Sequence, residues 1–316
     1  MKSQFPISAS LGLLAFFAAP AQSQEWPRNV IHEAGILTLD AQPRTVVSTT
    51  PSVTGILLAI GAPLVASAAT TPGPLTDDKG FFSQWADLAD ERGVEVLYPN
   101  LTFDMESIIG WWPDLVVAST TGADSILPQY PLLQSQGIPT IAVNYSDRSW
   151  QDLARELGQA LGVERGAADA IARFDQNIAE IASTITPHDG TVTIVGYQLA
   201  GTYSVGKASS PQATLLTALG FEVAGLPDRL RSQVTRSSNF DFFSRENLTD
   251  AIVGDTVFLL NGTEKTVDTF LNDPVLANLP AVRNRQVYAL GQTSFRIDYF
   301  SGLQMAETVA TQFAAQ

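Results

Sequence analysis

One segment of the sequence comes close to a catalytic motif. Residues 201–207 carry two glycines and a lysine at the spacing of a phosphate-binding P-loop, but Ala208 replaces the hydroxyl residue that holds Mg²⁺ in such loops. The same residues suit a glycine-rich turn between a strand and a helix, where α/β domains place ligand contacts. We therefore predict that Lys207, with the nearby Tyr203, contacts a ligand that is not a nucleotide.

Residues that could catalyse a reaction or hold a metal ion are few. The two histidines, His32 and His188, lie far apart in the sequence, and neither belongs to a Gly-x-Ser-x-Gly motif. There is no cysteine, which excludes disulfides, thiolate metal sites and a cysteine nucleophile. Most of the 32 acidic residues of so acidic a chain are expected to be solvated surface charges. These features favour a binding protein over an enzyme. A secreted hydrolase or lyase is one alternative, and an adhesive protein is another, although no sequence repeats support the latter.

The cationic residues are more informative because they are scarce. Arg296 follows a predicted strand and has Phe295 and Tyr299 as aromatic neighbours. Such neighbours suit a cleft in which a guanidinium both stacks and pairs with charge. For the remaining cations, an isolated surface charge is an equally good interpretation. The predicted ligand contacts are Arg296, Phe295, Tyr299, Lys207, Tyr203, Arg231, Arg236, Lys79 and Trp85.

The charge of the chain narrows its range of partners. The formal net charge is −14 at neutral pH, and such a chain is repelled by nucleic acid and by anionic lipid. The hydrophobic content of 45% is sufficient for packed cores and argues against disorder. The expected partners are therefore a small-molecule ligand or another protein.

The N-terminus has the three parts of a secretory signal peptide. Lys2 supplies a positive charge, residues 11–19 form an apolar run too short to span a bilayer, and residues 21–23 form a small-x-small cleavage site. We therefore predict a signal peptide over 1–23, cleaved after about Ser23. The mature chain would be a free periplasmic protein, because it lacks the N-terminal cysteine to which a lipid anchor is attached.

Short β-rich runs alternate with helical segments on both sides of one long helix. Strands are predicted at 45–48, 64–67, 114–118, 140–143, 191–196, 256–260 and 286–290. This alternation predicts βαβ units and a parallel sheet. Apolar residues recur every three or four positions from Ile171 to Ile185, which predicts an α-helix over 164–186. We expect an α/β fold with an N-terminal lobe at 24–163, this connecting helix, and a C-terminal lobe at 187–316.

Several segments, in order along the chain, carry a resemblance to a known family. Among them are Asp-Asp-Lys-Gly-Phe at 77–81, Tyr-Ser-Asp-Arg-Ser-Trp-Gln at 145–151 and Phe-Arg-Ile-Asp-Tyr at 295–299, with further matches at 48–60, 69–72, 84–85, 276–282 and 286–291. This ordered set resembles the periplasmic ferric-enterobactin-binding proteins, which belong to the long-helix class of siderophore and vitamin B12 receptors. The similarity covers nearly the whole mature chain.

The resemblance implies a structure and a function. The structure would be two Rossmann-like lobes joined by one long α-helix, with the ligand in the cleft between them. The ligand would be an enterobactin-like ferric catecholate siderophore, with iron present only as part of that complex and no covalently bound cofactor. A monomeric receptor would deliver it to the permease of an inner-membrane ABC importer, and Arg296 matches the arginine of the family's last motif. A receptor for haem, a corrinoid or another siderophore is the alternative within this class.

Overall fold

The computed structural model describes residues 25–197 and 202–314. Along the chain, an N-terminal lobe is followed by a long helix and then by a C-terminal lobe. The predicted signal peptide at 1–23 lies outside the described residues. None of the helices in the described ranges is both long enough and apolar enough to cross a membrane.

Within the described chain, the N-terminal lobe is built on a five-stranded parallel sheet that follows an antiparallel hairpin. The hairpin consists of β1 (Arg28–His32) and β2 (Gly35–Leu39). The sheet has the spatial order β5-β4-β3-β6-β7 and consists of β3 (Val46–Ser48), β4 (Leu64–Ser67), β5 (Glu95–Val96), β6 (Leu115–Ser119) and β7 (Thr140–Val143). The helices are α1 (Pro51–Ala59), α2 (Ala86–Glu91), α3 (Met105–Gly110), α4 (Tyr130–Ser135) and α5 (Trp150–Leu161), with a 3₁₀ turn at Leu127–Gln129.

Local sequence explains where these elements form and end. Strand β6 reads Leu-Val-Val-Ala-Ser and is buried along its whole length, as expected where helices cover both faces of a parallel sheet. Helix α5 begins at the N-cap Ser149, whose hydroxyl accepts a hydrogen bond from the backbone N–H of Asp152 at 3.1 Å. It ends at Gly162, which adopts the left-handed conformation with φ of 68°.

Helix α6 (Glu164–Ala182) connects the two lobes. Its 19 residues span roughly 28 Å at 1.5 Å per residue. Phe174 and Ile178 lie on its buried stripe, as the sequence predicted. The helix ends four residues before the predicted boundary, because Ile185 leaves the helical path and forms a β-bridge with Ala314.

The C-terminal lobe has a mixed sheet, of seven strands in the described residues. Its strands are β8 (Thr191–Tyr197), β9 (Tyr203–Gly206), β10 (Glu222–Val223), β11 (Thr235–Arg236), β12 (Phe240–Phe243), β13 (Thr256–Leu259) and β14 (Val287–Ala289). The spatial order is β11-β12-β9-β8-β13-β14, and β10 also pairs with β8. The helices are α7 (Pro211–Ala218), α8 (Leu248–Ala251), α9 (Glu264–Leu271), α10 (Pro280–Arg283) and α11 (Tyr299–Phe313), with 3₁₀ turns at Asp228–Gln233 and Arg245–Asn247.

The prediction of an all-parallel sheet is right for the first lobe and wrong for the second. Strand β9 runs antiparallel to β8 and to β12. Residues 203–206 were expected to lie within a glycine-rich turn before a helix. They form strand β9 instead, because Tyr203 and Val205 pack into the hydrophobic core of this lobe.

The two lobes share one continuous hydrophobic core. A single cluster of buried side chains includes Val46 of β3 and Phe258 of β13. Helix α11 packs against α6, α1 and α7. Trp150 of α5, Phe174 of α6 and Tyr299 of α11 pack ring against ring, with centroid separations of 5.0, 5.7 and 6.0 Å. This aromatic cluster joins the N-terminal lobe, the connecting helix and the C-terminal lobe.

Candidate ligand-binding cleft

A cleft between the lobes opens at the carboxyl ends of strands from both sheets. In the first lobe the strand order reverses between β3 and β6, and open α/β sheets bind ligands at such switch points. The cleft contains a cavity of about 410 Å³, a common size for a small-molecule site. Loops after β3 to β7 line one side, and loops after β13 and β14 line the other. Its lining includes Asp124, Tyr145, Asn261, Phe295, Arg296 and Asp298.

Arg296 crosses the cleft from the loop between β14 and α11. Its guanidinium carbon lies 3.9 Å from the centroid of the Tyr145 ring, which is cation–π distance. The Ser301 hydroxyl donates a hydrogen bond to the Arg296 carbonyl at 2.7 Å and so holds the loop against the first turn of α11. Because Tyr145 belongs to the N-terminal lobe, this contact brings the two lobes together at the cleft.

Asp124 anchors the N-terminal wall of the cleft. Its buried carboxylate accepts hydrogen bonds from the Tyr145 hydroxyl at 2.5 Å, the Thr50 hydroxyl at 2.6 Å and the Ser52 backbone N–H at 3.1 Å. Burial, together with the Asp124 charge, raises the pKa of Tyr145 to about 12, although Arg296 opposes the shift. Tyr145 therefore remains a neutral hydrogen-bond donor throughout the physiological pH range.

Three residues that line the cleft have left-handed backbone conformations. Gly122 has φ of 82°, and a Cβ at this position would lie 1.6 Å from the Tyr145 hydroxyl oxygen, so only glycine allows Tyr145 its position. Leu101 and Asn261 have φ of 53° and 52°. Asparagine tolerates this region, whereas a bulky leucine is strained in it. The strained backbone of Leu101 agrees with a functional role for the cleft.

Asp298 lines the cleft from the C-terminal lobe and caps helix α11. One carboxylate oxygen accepts hydrogen bonds from the backbone N–H groups of Phe300 at 2.9 Å and Ser301 at 2.8 Å. The Asp298 N–H donates in return to the Ser301 hydroxyl at 2.8 Å. Burial raises the pKa of Asp298, and the hydrogen bonds to its carboxylate oppose this shift. The second oxygen lies 3.5 Å from the amide nitrogen of Gln84 in the other lobe.

Phe295 presents an aromatic face to the cleft. Its ring is stacked on Phe240, with centroids 5.6 Å apart and an interplanar angle of 6°. The side chain is 47% exposed. It borders the 410 Å³ cavity of the cleft, which we call the main cavity. It also borders an adjoining cavity of about 210 Å³ in the C-terminal lobe. A flat ring system that entered the cleft would therefore meet both Phe295 and Arg296.

Two predicted cationic contacts, Lys207 and Arg236, are both directed at Asp241. The Arg236 Nε donates to the buried Asp241 carboxylate at 3.1 Å, and the Lys207 Nζ lies 3.9 Å from the same oxygen. Lys207 also donates to the carbonyl of Ser237. The structure thus places these cations in a hydrogen-bonded group of the C-terminal lobe, outside the lining of the main cavity.

The other two predicted cations also pair with carboxylates. Lys79 forms a salt bridge with Asp90, and Arg231 forms one with Asp228 at 2.6 Å. Neither Lys79 nor Arg231 belongs to the lining of the main cavity. The structure therefore does not bring these residues to Arg296.

Three of the predicted aromatic contacts are packed into the protein. Trp85 and Tyr203 are each 1% exposed. Trp85 packs edge-on against Phe82, which does line the cavity, so Trp85 supports the wall from behind. Tyr299 packs against Trp150 in the interlobe aromatic cluster. Of the nine predicted contacts, the structure brings Arg296 and Phe295 together at the cleft.

Sequence reasoning missed Asp124, Tyr145, Asn261 and Asp298. Tyr145 and Asn261 each follow closely after a predicted strand, so the rule that ligands bind at the carboxyl ends of strands indicates both. Asp298 lies two residues after Arg296 in the same motif. No sequence pattern distinguishes Asp124 from the other acidic residues, which number 32 in total. Only the structure shows the three hydrogen-bond donors that surround its carboxylate.

A second interlobe groove, of about 430 Å³, lies between α5, α6 and α7. Its walls are largely apolar and include Phe174, Ile178 and Leu215. Its one arginine, Arg148, is already paired with Glu156. The cleft at the strand ends is the better candidate site, because Arg296 has no carboxylate partner among the described residues. In the described ranges there is also no group of three or more histidine, aspartate or glutamate side chains that could hold a metal ion.

Comparison with known proteins identifies the family. The model of the periplasmic binding protein family matches residues 46–293, which include every strand from β3 to β14. The chain belongs to the periplasmic binding protein family. Family membership confirms the predicted fold and the prediction of a binding protein rather than an enzyme.

Individual members of the family differ in how similar they are to this chain. The ferric enterobactin-binding periplasmic protein FepB of Escherichia coli O6:H1 is 39% identical over 306 residues, with 96% of each chain covered. The structure of holo-ViuP has a TM-score of 0.82 and 39% identity, and the match covers 92% of this chain and 97% of that one. The structure of Staphylococcus aureus SirA in complex with staphyloferrin B matches this chain with a TM-score of 0.69 at 20% identity. This similarity shows a shared fold and nothing more. The relation to FepB over nearly the whole chain supports a periplasmic location.

Proposed function

We propose that this chain is the periplasmic receptor of an ABC importer and that it captures a ferric catecholate siderophore in the cleft at Arg296. The observation that carries this proposal is the guanidinium of Arg296, held 3.9 Å from the Tyr145 ring beside the exposed face of Phe295. A ferric catecholate presents flat, electron-rich rings and anionic oxygens. A guanidinium stacks on the rings and pairs with the oxygens.

Uncharged polar groups from both lobes complete the site. Gln84 and Ser52 come from the N-terminal lobe, and Asn261 and Gln292 come from the C-terminal lobe. Their amides and hydroxyl suit the amide and ester linkages that join catechol groups. A ligand in the cleft would touch both lobes, so its binding depends on their relative position. The 39% identity to a protein that by name binds ferric enterobactin supports the ligand class.

The proposed role also includes export of the chain and delivery of the ligand. The signal peptide at 1–23 is removed after about Ser23, and the mature chain works in the periplasm as a monomer. It hands the siderophore, with its iron, to an inner-membrane permease. Iron enters only as part of the siderophore complex, and the protein carries no covalently bound cofactor.

A fluorescence titration of the mature chain tests the proposal. Trp85 lies behind Phe82 in the wall of the cavity, so a bound ferric catecholate should quench tryptophan emission with 1:1 stoichiometry. The panel should contain ferric catecholates, ferric hydroxamates, haem and cobalamin. Saturable binding of a ferric catecholate is the expected result. Binding of haem or cobalamin with no response to any ferric siderophore would overturn the proposed ligand and leave the fold unaffected.

A further inference from the structure

The charged side chains that line the main cavity are few, and together they carry no net positive charge. Within the described lining they are Arg296, Asp124 and Asp298. If Asp298 is ionised, this set has a net charge of −1, and if Asp298 is protonated the set is neutral. The stretch 198–201, outside the described residues, reads Gln-Leu-Ala-Gly and adds no charge.

The carboxylate of Asp124 is held in place in the wall. It accepts hydrogen bonds from three donors of the protein, on Thr50, Ser52 and Tyr145. Arg296 lies over the ring of Tyr145, whose hydroxyl is bonded to Asp124. A ligand drawn to the guanidinium is thereby brought close to this carboxylate as well.

Nearby cations do not alter this balance. Lys207 and Arg236 share the buried carboxylate of Asp241, and Lys79 pairs with Asp90. Lys79 is thereby compensated, whereas the group of Lys207, Arg236 and Asp241 keeps a net charge of +1. All three cations lie outside the cavity lining. At physiological ionic strength, exposed charges farther than about 8 Å from the ligand are largely screened.

The ionic state of a ferric catecholate depends on how many catechol groups bind the metal. Each doubly deprotonated catechol contributes two negative charges, so three of them on Fe³⁺ give a trianion and two give a monoanion. Together with these lining charges, a monoanion gives a total charge of −1 or −2, whereas a trianion gives −3 or −4. The trianion therefore places more negative charge beside Asp124, and like charges repel more strongly in a partly desolvated cavity than in water. Unpaired negative charge on the ligand therefore weakens binding of the trianion relative to binding of the monoanion.

We propose that this cleft selects ferric catecholates of low net negative charge, such as ferric bis-catecholates, over trianionic ferric tris-catecholates. This inference rests on the proposed function and narrows its ligand class. The polar but uncharged lining, which includes Thr70, Gln84, Asn261, Gln292 and Thr293, suits neutral linkages around the metal centre rather than additional anionic oxygens.

Two ferric complexes built from the same catecholamide unit test this inference. One ligand is a tetradentate bis-catecholamide, whose complex is a monoanion, and the other is a hexadentate tris-catecholamide, whose complex is a trianion. We expect the wild-type protein to bind the monoanion at least about tenfold more tightly, a difference of about 1.4 kcal/mol. Added salt should reduce this ratio, because it screens the repulsion of the trianion.

The outcomes separate the inference from the proposed function. Equal or tighter binding of the trianion would overturn the inference, while the protein would still be a receptor for ferric catecholates. Binding of neither complex, together with binding of haem or cobalamin, would overturn both.

A pair of charge-adding variants tests whether the cavity wall is responsible. Gln292 is an exposed residue of the lining, and Gln134 is an exposed glutamine on α4. Gln292→Lys should raise the affinity for the trianion by up to about fivefold, the range of an exposed ion pair, and should affect the monoanion less. Gln134→Lys makes the same change in net charge and should leave the ratio unchanged. Equal shifts in the two variants would contradict selection by the cleft.

Discussion

At the scale of single residues, Arg296 has the most direct consequence for binding. It is the one cation in the described lining of the main cavity. Removal of an arginine that pairs with a desolvated anion costs about 2–5 kcal/mol, so Arg296→Ala should weaken siderophore binding by at least about 30-fold. Arg296→Lys should recover only part of this loss, because an ammonium neither stacks flat nor offers a planar fork. Fluorescence titrations, after thermal melts confirm that both variants are folded, measure the effect.

The control for this prediction is Arg173→Ala. Arg173 is exposed on α6, away from the cleft, and its removal makes the same change in net charge. Its affinity should stay close to that of the wild type. Wild-type affinity in Arg296→Ala would show that the cleft does not hold the ligand at this residue.

The position of Arg296 and Phe295 in the cleft lining could be predicted from the sequence because their signal is local. A cation and an aromatic residue in the loop that follows a strand lie near the edge of the sheet where ligands bind. Lys207 and Arg236 show why the other cations could not be assigned in this way. Both meet Asp241, and Lys207 lies more than 30 positions before it in the sequence. In a chain with 32 acidic residues, only the fold decides which cation has a carboxylate partner.

At the scale of elements, Gly55 sets how closely helix α1 approaches the C-terminal lobe. A Cβ at Gly55 would lie 2.8 Å from a carboxylate oxygen of Asp298 and 2.8 Å from the Trp85 ring. Gly55→Ala should therefore lower the free energy of unfolding by about 1–3 kcal/mol, through overpacking between the lobes. Denaturant unfolding measures this change.

Gly110→Ala is the matched control for that substitution. Gly110 is also a helical glycine, in α3, but a Cβ there would meet nothing within 4 Å. This variant should be as stable as the wild type or slightly more stable, because alanine favours the helix. If both variants unfolded at the same denaturant concentration, the close contact at Gly55 would not constrain the lobes.

Phe174 of helix α6 contacts both lobes. Phe174 is buried against Trp150 and Tyr299, with ring centroids 5.0 and 6.0 Å away. Phe174→Ala should cost about 3–5 kcal/mol of stability, because a large cavity would open where the three rings meet. Hydrogen exchange should show slow exchange of α6 amides in the wild type and faster exchange in the variant. Rapid exchange throughout α6 in the wild type would contradict a rigid connection.

The elements that the sequence predicts best are those with a strong repeating pattern. The apolar runs of β6 and β7 lie where the pattern placed them, and so do Phe174 and Ile178 of the α6 stripe. The last residue of that predicted stripe, Ile185, lies beyond the end of the helix. Strands β9 and β12 are different, because their pairing joins segments more than 30 residues apart. The glycines near β9 indicate a turn when they are taken alone. Tertiary burial of Tyr203 and Val205 overrides that local signal.

At the scale of the whole molecule, stability should depend on pH through His32. The Nδ1 atom of this buried ring accepts hydrogen bonds from the N–H groups of Ala34 at 3.2 Å and Ala142 at 3.3 Å, so the ring is neutral. Burial lowers the pKa of His32 below its ordinary value of about 6.5, although Glu33 opposes the shift. The unfolded chain therefore binds a proton first, and the contribution of His32 is present above about pH 6.5 and is lost as the pH falls below it.

Unfolding free energies measured across this pH range test the effect. The wild type should lose up to about 1.4 kcal/mol per pH unit below pH 6.5 relative to His32→Gln, which lacks the titrating group. His188→Gln replaces an exposed histidine and is the matched control. Parallel stability curves for wild type and His32→Gln would show that the buried ring makes no pH-dependent contribution.

The continuous core that joins the lobes has a consequence for signalling. In many receptors an importer recognises the loaded state because the halves close over the cargo. Here one core and an aromatic cluster already hold the halves together, so the empty and loaded forms should have nearly the same outline. The importer could then hardly distinguish the loaded form from the empty form by the shape of the protein. We expect the importer to detect the cargo itself, through the part of the ligand left uncovered at the mouth of the cleft.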